Sequence, residues 1–284
     1  MTALLYVAVV LFSASQSTLN KLNRGGDAIR FNFFKGLSSS LLFVLAFLVS
    51  GEGFHLPTML YGLVYGVLLA VANQAGYRAI HAGPMALTSM LVNFSLIIPF
   101  AVGVICWNER PSVFTYVGFA LLIAALVCLN FRKANEDASK RPSLKWLFYV
   151  LCTLVANGGC SVITTMHQRA YPGEYEFGFT AWCVLLCFLI FTALSLAGGK
   201  LKTEYRLPRC DLYASAAGIA NVLASFFTVM LAARTPASIL YPLLAAVTML
   251  AALLIGRFLF REKLTRRQLA GFALGVLSVV LFKL

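Results

Sequence analysis

Long apolar runs, broken only by short polar or Gly/Pro separators, recur along the whole 284-residue chain. They lie at about 3–20, 31–50, 57–80, 84–107, 112–131, 144–166, 177–197, 210–233, 236–258 and 267–284. Each approaches the ~20 residues that one helix needs to cross ~30 Å of hydrocarbon. The separators carry helix breakers: Gly51-Glu52-Gly53, Gly83-Pro84, Arg110-Pro111, Pro172-Gly173 and Thr235-Pro236 among them. A barrel strand would show ~10-residue apolar/polar alternation instead. Composition agrees with a membrane protein: 60% of residues are hydrophobic, 12% are charged and mean hydropathy is +0.85, against about 45–50% and 25% in soluble domains. Ten spans use roughly 200 positions, leaving room for loops but not for a folded catalytic or nucleotide-binding domain. That excludes ATP-driven pumps and receptors with large ectodomains. Leu4 to Phe12, followed by Ser13-Ala14-Ser15, has the apolar stretch and small residues of a signal peptide, but no Lys or Arg precedes it; the run is expected to be retained as a span.

Basic residues near span ends set orientation. Of the 23 Lys and Arg, one set of alternate loops and span ends holds all but Arg110, Arg169, Arg234 and Lys283. The rich set faces the cytoplasm by this rule, which puts both termini outside and the 132–143 linker inside. The net charge of +13 is largely this bias, so no nucleic-acid partner is required to explain it. Anionic lipid is a sufficient partner. Six of the seven cysteines, Cys106 to Cys187, fall within spans and Cys210 falls at a span end, which fits packing rather than a disulfide framework.

The two halves superimpose as sequence. Pro84 and Pro236 open equivalent spans at an offset of 152 residues, while Glu109 and Glu262, and then Gly118 and Gly271, follow at 153. The tetrapeptide Gly-Phe-Ala-Leu begins at both glycines. Five spans per half is an odd number, so the second half enters the bilayer from the opposite side. The expected architecture is all-α: ten transmembrane helices as two inverted five-helix repeats, 1–131 and 144–284, around a central polar cavity. A span ending in Glu, a short basic turn, and a Gly nine residues after that Glu, twice in ten spans, resembles the EamA family of the drug/metabolite transporter superfamily. The resemblance covers essentially the whole chain. That family usually carries Gly before the Glu, where this chain has Asn108 and Arg261. Pro99 matches the proline common in its fourth span, whereas the equivalent position in the second half is Ala252, with Pro242 lying earlier. The resemblance implies export or exchange of small metabolites.

Polar side chains inside spans mark faces that look at protein or water. The first span carries Ser13, Gln16, Ser17 and Asn20 on one helical stripe, and its counterpart, the sixth, carries Asn157, Ser161, Thr164 and Gln168. The third pairs Asn73 with Tyr77 and Gln74 with Arg78; the eighth carries Gly218, Asn221, Ser225 and Thr228. A shared polar cavity explains all these stripes, and so does interhelical hydrogen bonding. The amides weigh most, because each has two donors and an acceptor. Tyr77, Trp182 and Tyr241 either line such a cavity or anchor span ends. Asn93 lies six residues before Pro99, beside backbone that a proline frees. The candidate substrate-binding set is therefore Gln16, Asn73, Gln74, Tyr77, Asn93, Asn157, Ser161, Thr164, Trp182, Asn221, Ser225 and Tyr241.

Gly62 with Gly66 and Gly271 with Gly275 are small-xxx-small pairs for close helix packing, within the monomer or in a weak homodimer. Glu109 and Glu262 are expected to cap the next helix start. All ten acidic residues lie in loops or at span ends, so no intramembrane carboxylate serves proton or sodium coupling. His167 is the nearest substitute, with a hydrogen-bonded or interfacial role as its plainer reading. Lys35 and Arg78 lie about a turn inside the cytoplasmic end, either snorkelling or attracting an anion.

No catalytic constellation, cofactor motif or metal motif appears. The expectation is a multi-pass protein of the plasma or inner membrane that transports a small neutral or zwitterionic metabolite, such as an amino acid, by alternating access. A lipid-carrier or phosphorylated-metabolite translocase on the same fold is the alternative. Orientation is testable directly: a reporter fused after Leu284 should be active only outside the cytoplasm, and a cytoplasmic signal overturns the charge argument.

Overall fold

The computed structural model describes residues 2–22, 28–82, 88, 91–130, 143–197, 208–258 and 266–282, and among these no strand occurs. The helices are α1 (Thr2–Leu22), α2 (Ala28–Ser50), α3 (Leu56–Ala82), α4 (Ile97–Cys106), α5 (Val113–Asn130), α6 (Leu144–Ala170), α7 (Glu176–Ala197), α8 (Pro208–Ala232), α9 (Ala237–Phe258) and α10 (Arg266–Leu281). Six of them contain stretches long and apolar enough to cross a membrane: Ile29–Ser50, Leu56–Ala79, Leu144–Ala170, Glu176–Ala197, Asp211–Ala232 and Ala237–Ile255. The apolar stretches in α1, α4, α5 and α10 are shorter over the described residues. The chain is thus an all-α, membrane-embedded protein. Pro84, Arg261, Glu262 and, apart from Ser143, the linker expected at 132–143 lie outside the described residues.

Two compact units emerge, and each takes segments from both halves of the sequence. The first combines Met1–Ala70 with Ile163–Arg234, and the second combines Val71–Val162 with Thr235–Leu284. The divisions fall inside α3 and α6.

In the first unit α2 packs against α7 and α8, and α1 lies along α8. Phe43, Ala181, Val184, Val222 and Phe226 form its core, with the Phe43 and Phe226 rings 5.2 Å apart. Three consecutive serines tie the backbones together. Ser38 Oγ donates to the Ser215 carbonyl (2.9 Å), Ser39 Oγ to that of Gly218 (2.9 Å) and Ser40 Oγ to that of Val184 (3.0 Å). Arg30 forks onto Asp211 through Nε (3.3 Å) and Nη2 (3.0 Å), joining α2 to α8 while its guanidinium lies 5.4 Å from the Phe34 ring centre. Gly62 and Gly66 belong to this packing: a Cβ at Gly66 would meet the Cys183 carbonyl oxygen at 2.8 Å and the Leu186 Cβ at 3.0 Å.

In the second unit α5 runs against α10, and α9 packs on α10 and α4. Phe100 stacks on Phe119 with centroids 4.0 Å apart. Ala79, Trp146 and Val150 join the end of α3 to the start of α6, and Trp146 Nε1 donates to Thr88 Oγ1 (2.8 Å). Pro99 lacks the N–H that would bond the Ser95 carbonyl. Just before it, the chain tightens into a 3-10 turn at Phe94–Leu96. The expected helix-interrupting role of Pro99 therefore takes the form of a local overwinding.

Gly66→Val should lower the stability of detergent-solubilised protein by about 1–3 kcal/mol, because the added atoms force α3 off α7. Gly53→Ala is the control, since a Cβ there meets nothing within 4 Å. Equal unfolding temperatures for the two variants would refute the packing assignment.

Candidate functional site

Antiparallel packing in the second unit gathers amides at one level. Gly76 on α3 sits against Thr153 on α6, a Cβ there being 3.3 Å from Thr153 Cγ2, while Ala79 lies by Trp146 and Val150. One turn further along this pair, Asn73 and Asn157 occupy the same height. Gly158 lets Ile98 of α4 approach α6, and Tyr241 of α9 donates its hydroxyl to the Ser161 carbonyl at 2.6 Å. Segments of α3, α4, α6 and α9 thus converge around Asn73, Asn157, Ser161 and Tyr241, while Gln74, two residues from Gly76, lies on another face of α3. All five are buried or half-buried.

Their hydrogen bonding separates them. Tyr241 has the Ser161 carbonyl, and Ser161 Oγ leans on the Asn157 carbonyl at 3.4 Å. Gln74 Oε1 is buried and has no partner. A buried acceptor left in that state costs about 1–3 kcal/mol. It is offset once a donor enters. Tyr77, one turn along from Asn73, is 38% exposed. Asn93 is exposed and does not cap the 3-10 turn that follows it.

The first unit holds Gln16, Thr164, Trp182, Asn221 and Ser225. Gln16, Asn221 and Ser225 are half-buried on α1 and α8, and Thr164 is buried on α6. Trp182 is occupied by packing: its Cβ lies 2.6 Å from where a Cβ on Gly62 would be, and its ring stands edge-on to Phe54 at 6.2 Å. Of the other stripe members, Thr228 Oγ1 turns back to the Ala224 carbonyl (2.8 Å), and Gly218 makes room for the Lys35 carbonyl and Ser38. The side chains of Ser17 and Asn20 lie outside those described. Lys35 falls in the first unit and Arg78 in the second, where its guanidinium lies 5.8 Å from the Tyr149 ring centre.

Two carboxylates do more than their sequence positions indicated. Glu109 was expected to cap the next helix, but Ser112 does that, its Oγ accepting from Thr115 N (3.2 Å). Glu109 reaches instead to α9, where Oε1 accepts from Ala237 N (3.1 Å) and Oε2 from Ser238 N (2.9 Å). In the first unit Glu52 does the same for α7, accepting from Phe177 N (3.2 Å) and Gly178 N (2.7 Å). Each negative charge sits on the positive end of a helix dipole. Beside Glu52, a hydrogen-bonded chain runs from half-buried His55 to buried Thr58, His167 and Gln168. The residue types were visible in the sequence, but their partners are more than a hundred positions apart.

No family model and no curated protein matches this chain. Solved structures do: 29 chains match, and one of them covers 99% of this chain and 95% of its own length at a TM-score of 0.77 with 15% identity. At that identity the likeness is one of fold.

Glu109→Ala should destabilise the protein by about 0.5–2 kcal/mol, the usual cost of losing an N-terminal cap. Gly103→Ala should do the same by another route, because its Cβ would lie 2.7 Å from Glu109 Oε2 and push the carboxylate off α9. The double variant should lose no more than the worse single variant. Additive losses in thermal unfolding would show that the two residues act separately.

Proposed function

We propose that this chain is a secondary transporter of a small metabolite, carrying an amino acid or a similar neutral or zwitterionic solute by alternating access. In this reading it is an EamA-type member of the drug/metabolite transporter superfamily. Its ten spans form two inverted five-helix repeats around a polar cavity, in the plasma or inner membrane with both termini outside. The observation that carries the reading is the Gln74 acceptor, buried without a partner on α3 one residue along from Asn73. Such a group within an apolar bundle suits a site that is completed by a ligand with its own donors. A fold likeness over nearly the whole chain is compatible with this and names no solute.

The test is solute flux in proteoliposomes against a panel of amino acids and nucleosides. At least one neutral or zwitterionic solute should move. Gln74→Ala, Asn73→Ala and Asn221→Ala should each reduce its flux several-fold while the protein still elutes as a folded monomer or dimer. Normal flux in all three removes these amides from the site. Flux confined to phosphorylated solutes transfers the reading to Lys35 and Arg78.

A further inference from the structure

The hydrogen bonds at the α6–α7 turn have a direction that can be deduced atom by atom. Gly173 N donates to Gln168 Oε1 at 3.0 Å, which fixes the side-chain amide and leaves Nε2 as the group facing His167. Gln168 Nε2 lies 3.1 Å from His167 Nδ1. Nε2 can only donate, so His167 Nδ1 must be the unprotonated, accepting nitrogen. The ring's proton is therefore on Nε2, which donates to Thr58 Oγ1 at 3.1 Å. The Thr58 hydroxyl keeps its own hydrogen, which it donates to His55 Nδ1 at 2.9 Å when His55 carries its ring proton on Nε2. With His55 in that tautomer, every group donates to the next, from the Gly173 amide towards His55.

The surroundings hold this arrangement in place. His167 is 0% and Thr58 is 2% exposed. The His167 ring stacks on Phe179 at 4.5 Å, with Tyr61 and Tyr171 each 5.7 Å away. His55 is only half-buried and stacks on Tyr175 of the turn at 4.3 Å. Gly173 itself has φ +74°, a conformation that glycine adopts without strain. The other titratable groups at this end are Tyr61 and Tyr65 from α3, Glu52 from the preceding loop, Arg169 from α6, Tyr171, Glu174 and Tyr175 from the turn, Glu176 and Cys183 from α7, and Arg234 beyond α8.

We propose that His55, Thr58, His167 and Gln168 form a proton-binding relay that latches the α6–α7 turn. In every state that places a proton on His167 Nδ1, whether the cation or the other neutral tautomer, two donors face each other unless the Gln168 amide turns over. Once turned, the amide offers Oε1 to His167 and Nε2 to the Gly173 N–H, and the Gly173 bond is lost. A proton that reaches His167 Nδ1 thus exchanges one bond for the other, and the ring can then release its Nε2 proton through the Thr58 hydroxyl to His55 Nδ1. In a transporter this is a site for proton coupling that needs no intramembrane carboxylate. That use rests on the transport reading, whereas the relay chemistry does not.

Full-length protein with 15N-labelled histidine and glycine and 13C-carbonyl-labelled proline, which singles out Gly173 after Pro172, reconstituted in bilayers, tests it by solid-state NMR. The chain has three histidines, and His81→Gln and His55→Gln identify the His167 signals by elimination. At pH 7.5 His167 should show a single tautomer protonated on Nε2. When acidification protonates Nδ1, the Gly173 amide should shift in step and exchange with water at least about tenfold faster. A proton on Nδ1 at pH 7.5, or protonation that leaves Gly173 unchanged, overturns the latch. Gln168→Glu separates the two events, because a carboxylate accepts from His167 Nδ1–H and from Gly173 together. Nδ1 should then be protonated at pH 7.5 with the Gly173 bond intact, and a wild-type pattern in this variant counts against the assignment.

Proteoliposomes with the same solute panel test the coupling. A pH gradient should accelerate flux in the wild type and lose that effect in Thr58→Val. Flux indifferent to the gradient in the wild type overturns the coupling and leaves transport standing. Absence of any flux removes the transport reading, and the NMR result then decides the relay alone.

Discussion

In hydrocarbon a backbone N–H or C=O without a partner costs several kcal/mol, and every helix leaves its first four N–H groups open. Much of this chain's long-range polar geometry answers that constraint. Glu52 covers the open amides of α7 and Glu109 those of α9, each from a loop more than a hundred residues away. Because a carboxylate holds two amides at once, it sets the height of one helix against the loop of another, which apolar contacts alone do poorly. Gly103 shows the requirement from the other side: a side chain there would stand where Glu109 must be.

The same constraint sorts the polar side chains inside the helices. Thr153, Thr180, Thr192, Thr228 and Thr248 each return their hydroxyl to the carbonyl four residues earlier, at 2.7–2.8 Å. A hydroxyl can be satisfied within its own helix, so a Ser or Thr on an apolar face says little about function. An Asn or Gln has two donors and an acceptor, more than one helix carbonyl can answer. Amides are therefore the informative members of the polar stripes, and Gln74 with an open Oε1 is the most informative of them.

Apolar run length and breaker residues foretold the helices well, because both follow from local physics. The repeat spacing also drew attention to Glu109, and the structure explains one departure from the resembled family's motif. Asn108, where that motif carries Gly, sits at φ +51°, a left-handed position that Asn tolerates better than most residues. What local pattern could not supply was partnership. Glu109 was assigned to the nearest helix start and instead serves α9. Trp182, an aromatic near a span end, fills the space that Gly62 leaves, and Arg30, counted as a positive-inside marker, is paired with Asp211. His167 looked isolated because Thr58, its hydrogen-bond partner, is 109 positions away. A one-dimensional stripe places residues on a face and leaves open what that face meets.

In the transport reading proposed above, energetic scale explains why few polar contacts suffice. A transporter must keep two conformations within a few kcal/mol of each other, and a net buried hydrogen bond is worth about 0.5–1.5 kcal/mol. A two-state equilibrium shifts tenfold for 1.4 kcal/mol, so one latch bond of the Gly173 type alters a population without dictating it. A carboxylate deep in the span would act more strongly but would carry its desolvation penalty for as long as it stays ionised. A neutral histidine that is charged only transiently avoids that standing cost. Its effect is then confined to the moment when the proton arrives, which is when a coupled carrier has to change shape.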